Sequence, residues 1–138
     1  MADGLKIFVD DNRFPSPEYD KTFQGAEFFI KWAKNNQDAK IKKLSLDHDL
    51  GINYMDGTQL CQKLLTPNSK GQILLPETEY VQFHTNNARG WKNMYKLFRT
   101  AKEKGLIKTE ICPYLVVATD GQDRDEAFIY DFLILCNC

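Results

Sequence analysis

Three times along this chain a short apolar run stops at a cluster of carboxylates, histidine or asparagine, and a helical pattern follows further on. The runs are Leu5 to Val9, ended by Asp10-Asp11; Ile41 to Leu46, ended by Asp47-His48-Asp49; and Tyr80 to Phe83, ended by His84-Thr85-Asn86-Asn87. Short apolar runs rich in β-branched and aromatic residues, cut off by turn formers, read as buried strands. Strands that alternate with helices are joined by crossovers, and crossovers make a parallel sheet. The repeat therefore narrows the chain to an α/β sandwich with a mainly parallel central sheet.

The helical segments carry their own signals. Ala26, Phe29, Ile30 and Ala33 recur at helical spacing, and Asn35-Asn36 closes that segment, with Thr22-Phe23 forming a short strand ahead of it. Leu60, Cys61, Leu64 and Leu65 trace a second stripe, with Asp56 as its N-cap. Trp91, Met94, Tyr95, Phe98 and Ala101 trace a third, and Gly105 suits its C-terminal end. Beyond it, Tyr114 to Ala118 reads as one more strand, Asp120 to Glu126 as a solvated acidic loop, and the last apolar segment fits strand or helix equally. There is no repeat, linker or low-complexity tract, and 138 residues make a single domain, 1–138.

Composition excludes several classes of partner. With 18 basic and 19 acidic residues the net charge is −1, so no long-range field draws the chain to nucleic acid or to an anionic membrane. Lys40, Lys42, Lys43, Lys102 and Lys104 read as solvated faces, not as an extended nucleic-acid stripe. No apolar run reaches bilayer length and the N-terminus lacks a secretory pattern, which makes a cytoplasmic location the expectation. Cys61, Cys112, Cys136 and Cys138 match neither a zinc knuckle nor a disulfide framework. The first two read as core fillers.

In parallel sheets ligands gather at the carboxyl ends of the strands. The three strand-end motifs therefore share one rim, and both histidines of the protein fall on it. Carboxylates gathered there repel one another and call for a positive partner, either Arg13 or a hard divalent cation. Asp10, Asp11 and Asp47 suit Mg²⁺ or Mn²⁺, which take oxygen ligands and use few protein carboxylates. His48 and His84 suit general acid and base, with Asp49 orienting His48. Each motif also has a plainer explanation. Asp10-Asp11 can be a turn, Asp47-His48-Asp49 a solvated loop, His84 a satisfied core histidine, and the Asn86, Asn87 and Gly90 segment either an anion nest or simple turn chemistry.

Taken in order, "KIFVDDNRFPSP", "LSLDHDLG", the glycine of "DGTQL" and "HTNNARGWKNM" resemble the cyclic-phosphate processing receiver domain, a variant of the response-regulator receiver fold. The resemblance runs from about Lys6 to Met94 and falls on Asp10, Asp11, Arg13 and Pro15, on Leu46 to Gly51, and on His84, Thr85, Asn87 and Gly90. It implies a receiver/flavodoxin-like three-layer sandwich whose acidic pocket processes cyclic phosphates. Ordinary receivers carry a lysine after the fifth strand, whereas here Tyr114 to Ala118 runs into Thr119-Asp120.

The expected activity is then metal-assisted hydrolytic opening of a cyclic phosphate on a nucleotide or RNA end. Asp10, Asp11 and Asp47 hold the cation, His48 and His84 divide the proton transfers, and Arg13, Thr85, Asn87 and Gly90 grip the phosphate. Two rivals stand beside it: a signalling module in which Asp47 accepts a phosphoryl group, and a non-catalytic protein that sequesters a cyclic nucleotide.

Overall fold

The computed structural model describes residues 4–11, 15, 17–50, 55–85, 87–119 and 122–128. Five strands form one all-parallel sheet in the order β2-β1-β3-β4-β5: β1 (Leu5–Val9), β2 (Lys21–Phe23), β3 (Ile41–Leu46), β4 (Tyr80–Phe83) and β5 (Glu110–Ile111). The order reverses at β1, so the crevice between β1 and β3 is the switch point of the sheet, where such folds bind ligands. This is the α/β fold with a parallel sheet expected from the strand and helix alternation, in the receiver/flavodoxin-like arrangement that the resemblance implies.

Strand register separates the two faces of the sheet. Ile7, Leu44 and Val81 stand side by side, as do Val9, Leu46 and Phe83. All six are buried in one core with Phe29, Ile30, Leu60, Leu64, Trp91, Met94 and Phe98. Each such side chain contributes roughly 1.5–3 kcal/mol by leaving water. The connections β2 to β3, β3 to β4 and β4 to β5 step across the sheet in one direction, and right-handed crossovers place their helices on one face. Among the described residues α1 (Ala26–Asn35), α2 (Gly57–Leu65) and α3 (Ala88–Glu103) all pack there. None of them is long and apolar enough to cross a membrane.

The helices begin and end where local chemistry dictates. Asp56 caps α2 by accepting the Gln59 amide at 2.8 Å, while the Gln59 side chain accepts the Asp56 amide, a complete capping box. At the end of α3, Gly105 takes a φ of 79°, which L residues avoid, and lets Leu106 donate back to the Ala101 carbonyl. Phe28 points away from the core and is 68% exposed, as its position off the α1 stripe requires.

Two expectations are corrected. Lys43 is not a solvated lysine: it is buried, bridges to Glu18 at 3.5 Å and lies 5.5 Å from the Tyr19 ring centre. It alternates onto the sheet face opposite the helices, and that face is covered here. Within the supposed acidic loop, Gln122–Phe128 is a strand, β7, antiparallel to β6 (Leu115–Thr119). A two-stranded ribbon is held by backbone pairing with its apolar partner, so charged side chains do not forbid it. A parallel bridge from Val116 to His84 ties β6 to the end of β4. Asp120, Gly121 and the closing apolar segment with Cys136 and Cys138 lie outside the described residues.

Candidate functional site

On the face away from the helices, register aligns Phe8, Ser45 and Gln82 across β1, β3 and β4. Side chains two residues on share that face, so Asp10, Asp47 and His84 form the next row, at the carboxyl edge. Backbone bonds hold this row in place: Asp47 donates to the Val9 carbonyl at 3.0 Å and His84 to the Leu46 carbonyl at 2.9 Å. Asp10 and Asp47 are buried, at 1% and 3% exposure, whereas Asp11 is exposed. One carboxylate oxygen from each of Asp10, Asp11 and Asp47 lies within 4.8 Å of the others. Like charges at that separation repel by about 3 kcal/mol per pair at an effective dielectric near 20. Three hard oxygens converging on a point open to solvent through Asp11 match the donor set of Mg²⁺ or Mn²⁺.

His84 is 0% exposed and both of its ring nitrogens are engaged. Nδ1 lies 2.6 Å from Ser45 Oγ and Nε2 lies 3.0 Å from Asp10 Oδ2. The ring stacks on Phe8 with centres 4.4 Å apart and planes 7° from parallel. The plainer expectation for His84, a satisfied buried histidine, thus describes its surroundings better than a ring presented to substrate. Its contact with Asp10 nevertheless ties it to the acidic cluster.

His48 turns the other way, toward the starts of α2 and α3. Its Nδ1 lies 3.0 Å from Asp49 Oδ1, and its Nε2 lies 3.1 Å from Thr58 Oγ1. The Asn87 amide nitrogen approaches Nδ1 at 3.4 Å. Asp49 lies nearer Nδ1 than Asp56 Oδ2, 3.9 Å away, lies to Nε2, an arrangement that suits a proton on Nδ1 with Nε2 accepting from the Thr58 hydroxyl. Two glycines make room for this loop. A Cβ on Gly57 would lie 2.6 Å from the Asp47 carbonyl oxygen and 2.7 Å from His48 Cα, and one on Gly90 would lie 2.3 Å from His48 Cγ.

The residues expected to grip phosphate lie around this loop or outside the described residues. The Gly90 amide donates to Asn87 Oδ1 at 2.9 Å, the N-cap of α3, and Gly90 leaves the room that the His48 ring occupies. The Thr85 hydroxyl, buried, accepts the Asn87 amide at 3.1 Å. Arg13 lies outside the described residues. Asp10, Asp11, Asp47 and His84 are brought together, while His48 and Asp49 are joined to Thr58 and Asn87. Sequence reasoning passed over Ser45, Gln82, Phe8 and Thr58. The available signal was period-two spacing, since Phe8, Ser45 and Gln82 each sit two residues before a rim residue.

Compared with known families, residues 5–100 match the model of the cyclic-phosphate processing receiver domain, which is most of the chain. No curated protein and no solved structure matches.

Proposed function

The chain belongs to the cyclic-phosphate processing receiver family, and from that premise we propose that its acidic rim opens a cyclic phosphate by hydrolysis, on a nucleotide or an RNA end. The observation that carries this reading is the convergence of Asp10, Asp11 and Asp47 within 4.8 Å at the switch point of the sheet. Asp10, Asp11 and Asp47 would hold a divalent cation, Mg²⁺ or Mn²⁺, which when bound would supply positive charge to the phosphate. Water adds to phosphorus, one ring P–O bond breaks, and the released oxygen takes up a proton, giving a phosphomonoester and a free hydroxyl.

His48 is the ring that trades protons in this scheme, through Nε2, with Asp49 holding the other nitrogen and the Thr58 hydroxyl as its resting partner. His84, fully buried, acts through Asp10 instead of touching substrate. Thr85, the Asn87 side-chain amide and Arg13 supply contacts to the non-bridging oxygens.

The test is a screen of cyclic mononucleotides, cyclic dinucleotides and 2′,3′-cyclic ends with Mg²⁺ or Mn²⁺, read by phosphorus NMR. A ring-opened monoester, lost in Asp10→Asn and cut about a hundredfold to ten-thousandfold in His48→Ala, is expected. Tight binding with the ligand recovered unchanged would make the protein a sequestering binder. A phosphoacceptor role for Asp47 draws on the same cluster, in which its buried carboxylate lies within 4.8 Å of those of Asp10 and Asp11. Incubation with acetyl phosphate and Mg²⁺, followed by intact mass, separates the two, because a lasting aspartyl adduct requires signalling chemistry.

A further inference from the structure

The sheet face away from the helices buries polar side chains where a core ordinarily takes apolar ones. Ser45 and Gln82 sit opposite each other in register and are 0% and 1% exposed. Buried amides and hydroxyls destabilise a fold unless they are hydrogen-bonded, and these two are, with the Gln82 amide nitrogen also 3.4 Å from the Tyr19 hydroxyl oxygen. Gln82 Nε2 donates to Ser45 Oγ at 3.0 Å. Ser45 Oγ lies 2.6 Å from His84 Nδ1, within reach for its one hydroxyl hydrogen to be donated there. With Nδ1 accepting, the neutral ring carries its proton on Nε2, which donates to Asp10 Oδ2 at 3.0 Å.

The sizes of the side chains agree with this path. His84 follows β4 and Asp10 follows β1, two strand spacings of about 4.8 Å apart, with β3 between them. The imidazole can cross β3 because position 45 is a serine, and it lands flat on Phe8 of β1. A larger side chain at 45 would occupy the space the ring needs.

We propose that Gln82, Ser45 and His84 form a buried donor relay that sets the Nε2–H tautomer of His84 and thereby the orientation of the Asp10 carboxylate, making His84 a positioning residue for the acidic site. The use to which Asp10 is put rests on the cation-assisted reading above; the relay is a property of the resting protein.

Two measurements test it on the full chain. Long-range ¹H–¹⁵N NMR should show His84 as the neutral Nε2–H tautomer, and Ser45→Ala should convert it to a mixture. Titration with Mn²⁺ alone, followed by the loss of the free-ion paramagnetic resonance signal, should show about 10- to 100-fold weaker binding in His84→Ala. His84→Gln, whose amide N–H can take the place of Nε2–H, should bind within a few-fold of the wild type. Equal weakening in His84→Gln and His84→Ala would overturn the positioning role, as would an Nδ1–H tautomer in the wild type. If His84→Ala does not fold, Ser45→Ala supplies the comparison, since it removes a hydroxyl and no volume the ring depends on; unchanged Mn²⁺ affinity there counts against the relay. If the wild type binds no Mn²⁺, the cation reading of the three acids fails. The tautomer then decides the relay by itself, and its persistence in Ser45→Ala would overturn it.

Discussion

Gly90→Ala should destabilise the protein, and the same substitution should stabilise it once His48 is gone. The new methyl would lie 2.3 Å from His48 Cγ, 2.6 Å from Cδ2 and 2.7 Å from Nδ1, all closer than carbon and nitrogen tolerate. The ring has little freedom to retreat, since it is held by Asp49 at 3.0 Å and Thr58 at 3.1 Å. Overpacking of this kind costs about 1–3 kcal/mol. Breaking either contact to relieve it costs about 0.5–1.5 kcal/mol more. Alanine in a helix interior offsets about 1 kcal/mol of this relative to glycine. The net expectation is a loss of about 1–3 kcal/mol. In a His48→Ala background the clash disappears and only the helix preference remains, so the sign should reverse to a gain of about 0.5–1 kcal/mol. Urea unfolding of the four proteins, followed by tryptophan fluorescence, closes the double-mutant cycle. A coupling well above 0.5 kcal/mol is expected; additive effects within about 0.3–0.5 kcal/mol would mean that His48 does not lie against α3.

Other outcomes follow from the same geometry. Mg²⁺ or Mn²⁺ at about a hundred times its dissociation constant should stabilise the fold by about 2.7 kcal/mol, and a melting curve of Asp10→Asn/Asp11→Asn should show none of that rise. Burial, with a smaller contribution from Asp56, raises the Cys61 thiol well above its ordinary value. The unfolded thiol therefore ionises first, near pH 8.5, so stability present at neutral pH should decline as the pH climbs past that point, and Cys61→Ala should lose this part of the alkaline slope. Iodoacetamide at pH 8 should modify Cys61 only after unfolding, as read by peptide mass. Asp56→Ala should cost about 1 kcal/mol by removing the α2 capping box, and Asp56→Asn should recover most of it, since asparagine also caps.

The helices and most strands were legible because their signals are local. The Ala26 to Asn35 periodicity coincides with α1, Asp56 caps α2 as its position before the apolar stripe suggests, and Gly105 adopts the positive φ that a helix end demands. Three acids falling after strands was likewise visible, since strand ends in a parallel sheet share an edge. The strand at Gln122–Phe128 was not, because its pattern is charged and its support comes from pairing with β6.

Along "IKKLSL" and "YVQF", alternation determines by itself that Lys43 and Ser45 face one way while Leu44 and Leu46 face the other, and that Gln82 shares a side with His84. It says nothing about whether the polar side meets water. Tertiary structure decided that this face is buried, which turned Lys43 into an ion-paired interior lysine, Ser45 and Gln82 into hydrogen-bonded links, and His84 into a buried partner of Asp10. The physical reason is one of range. Periodicity and capping are set by neighbours a few residues apart, whereas the environment of a sheet face depends on segments brought over it from far along the chain, and on side chains such as His84 and Asp10 that meet across 74 residues.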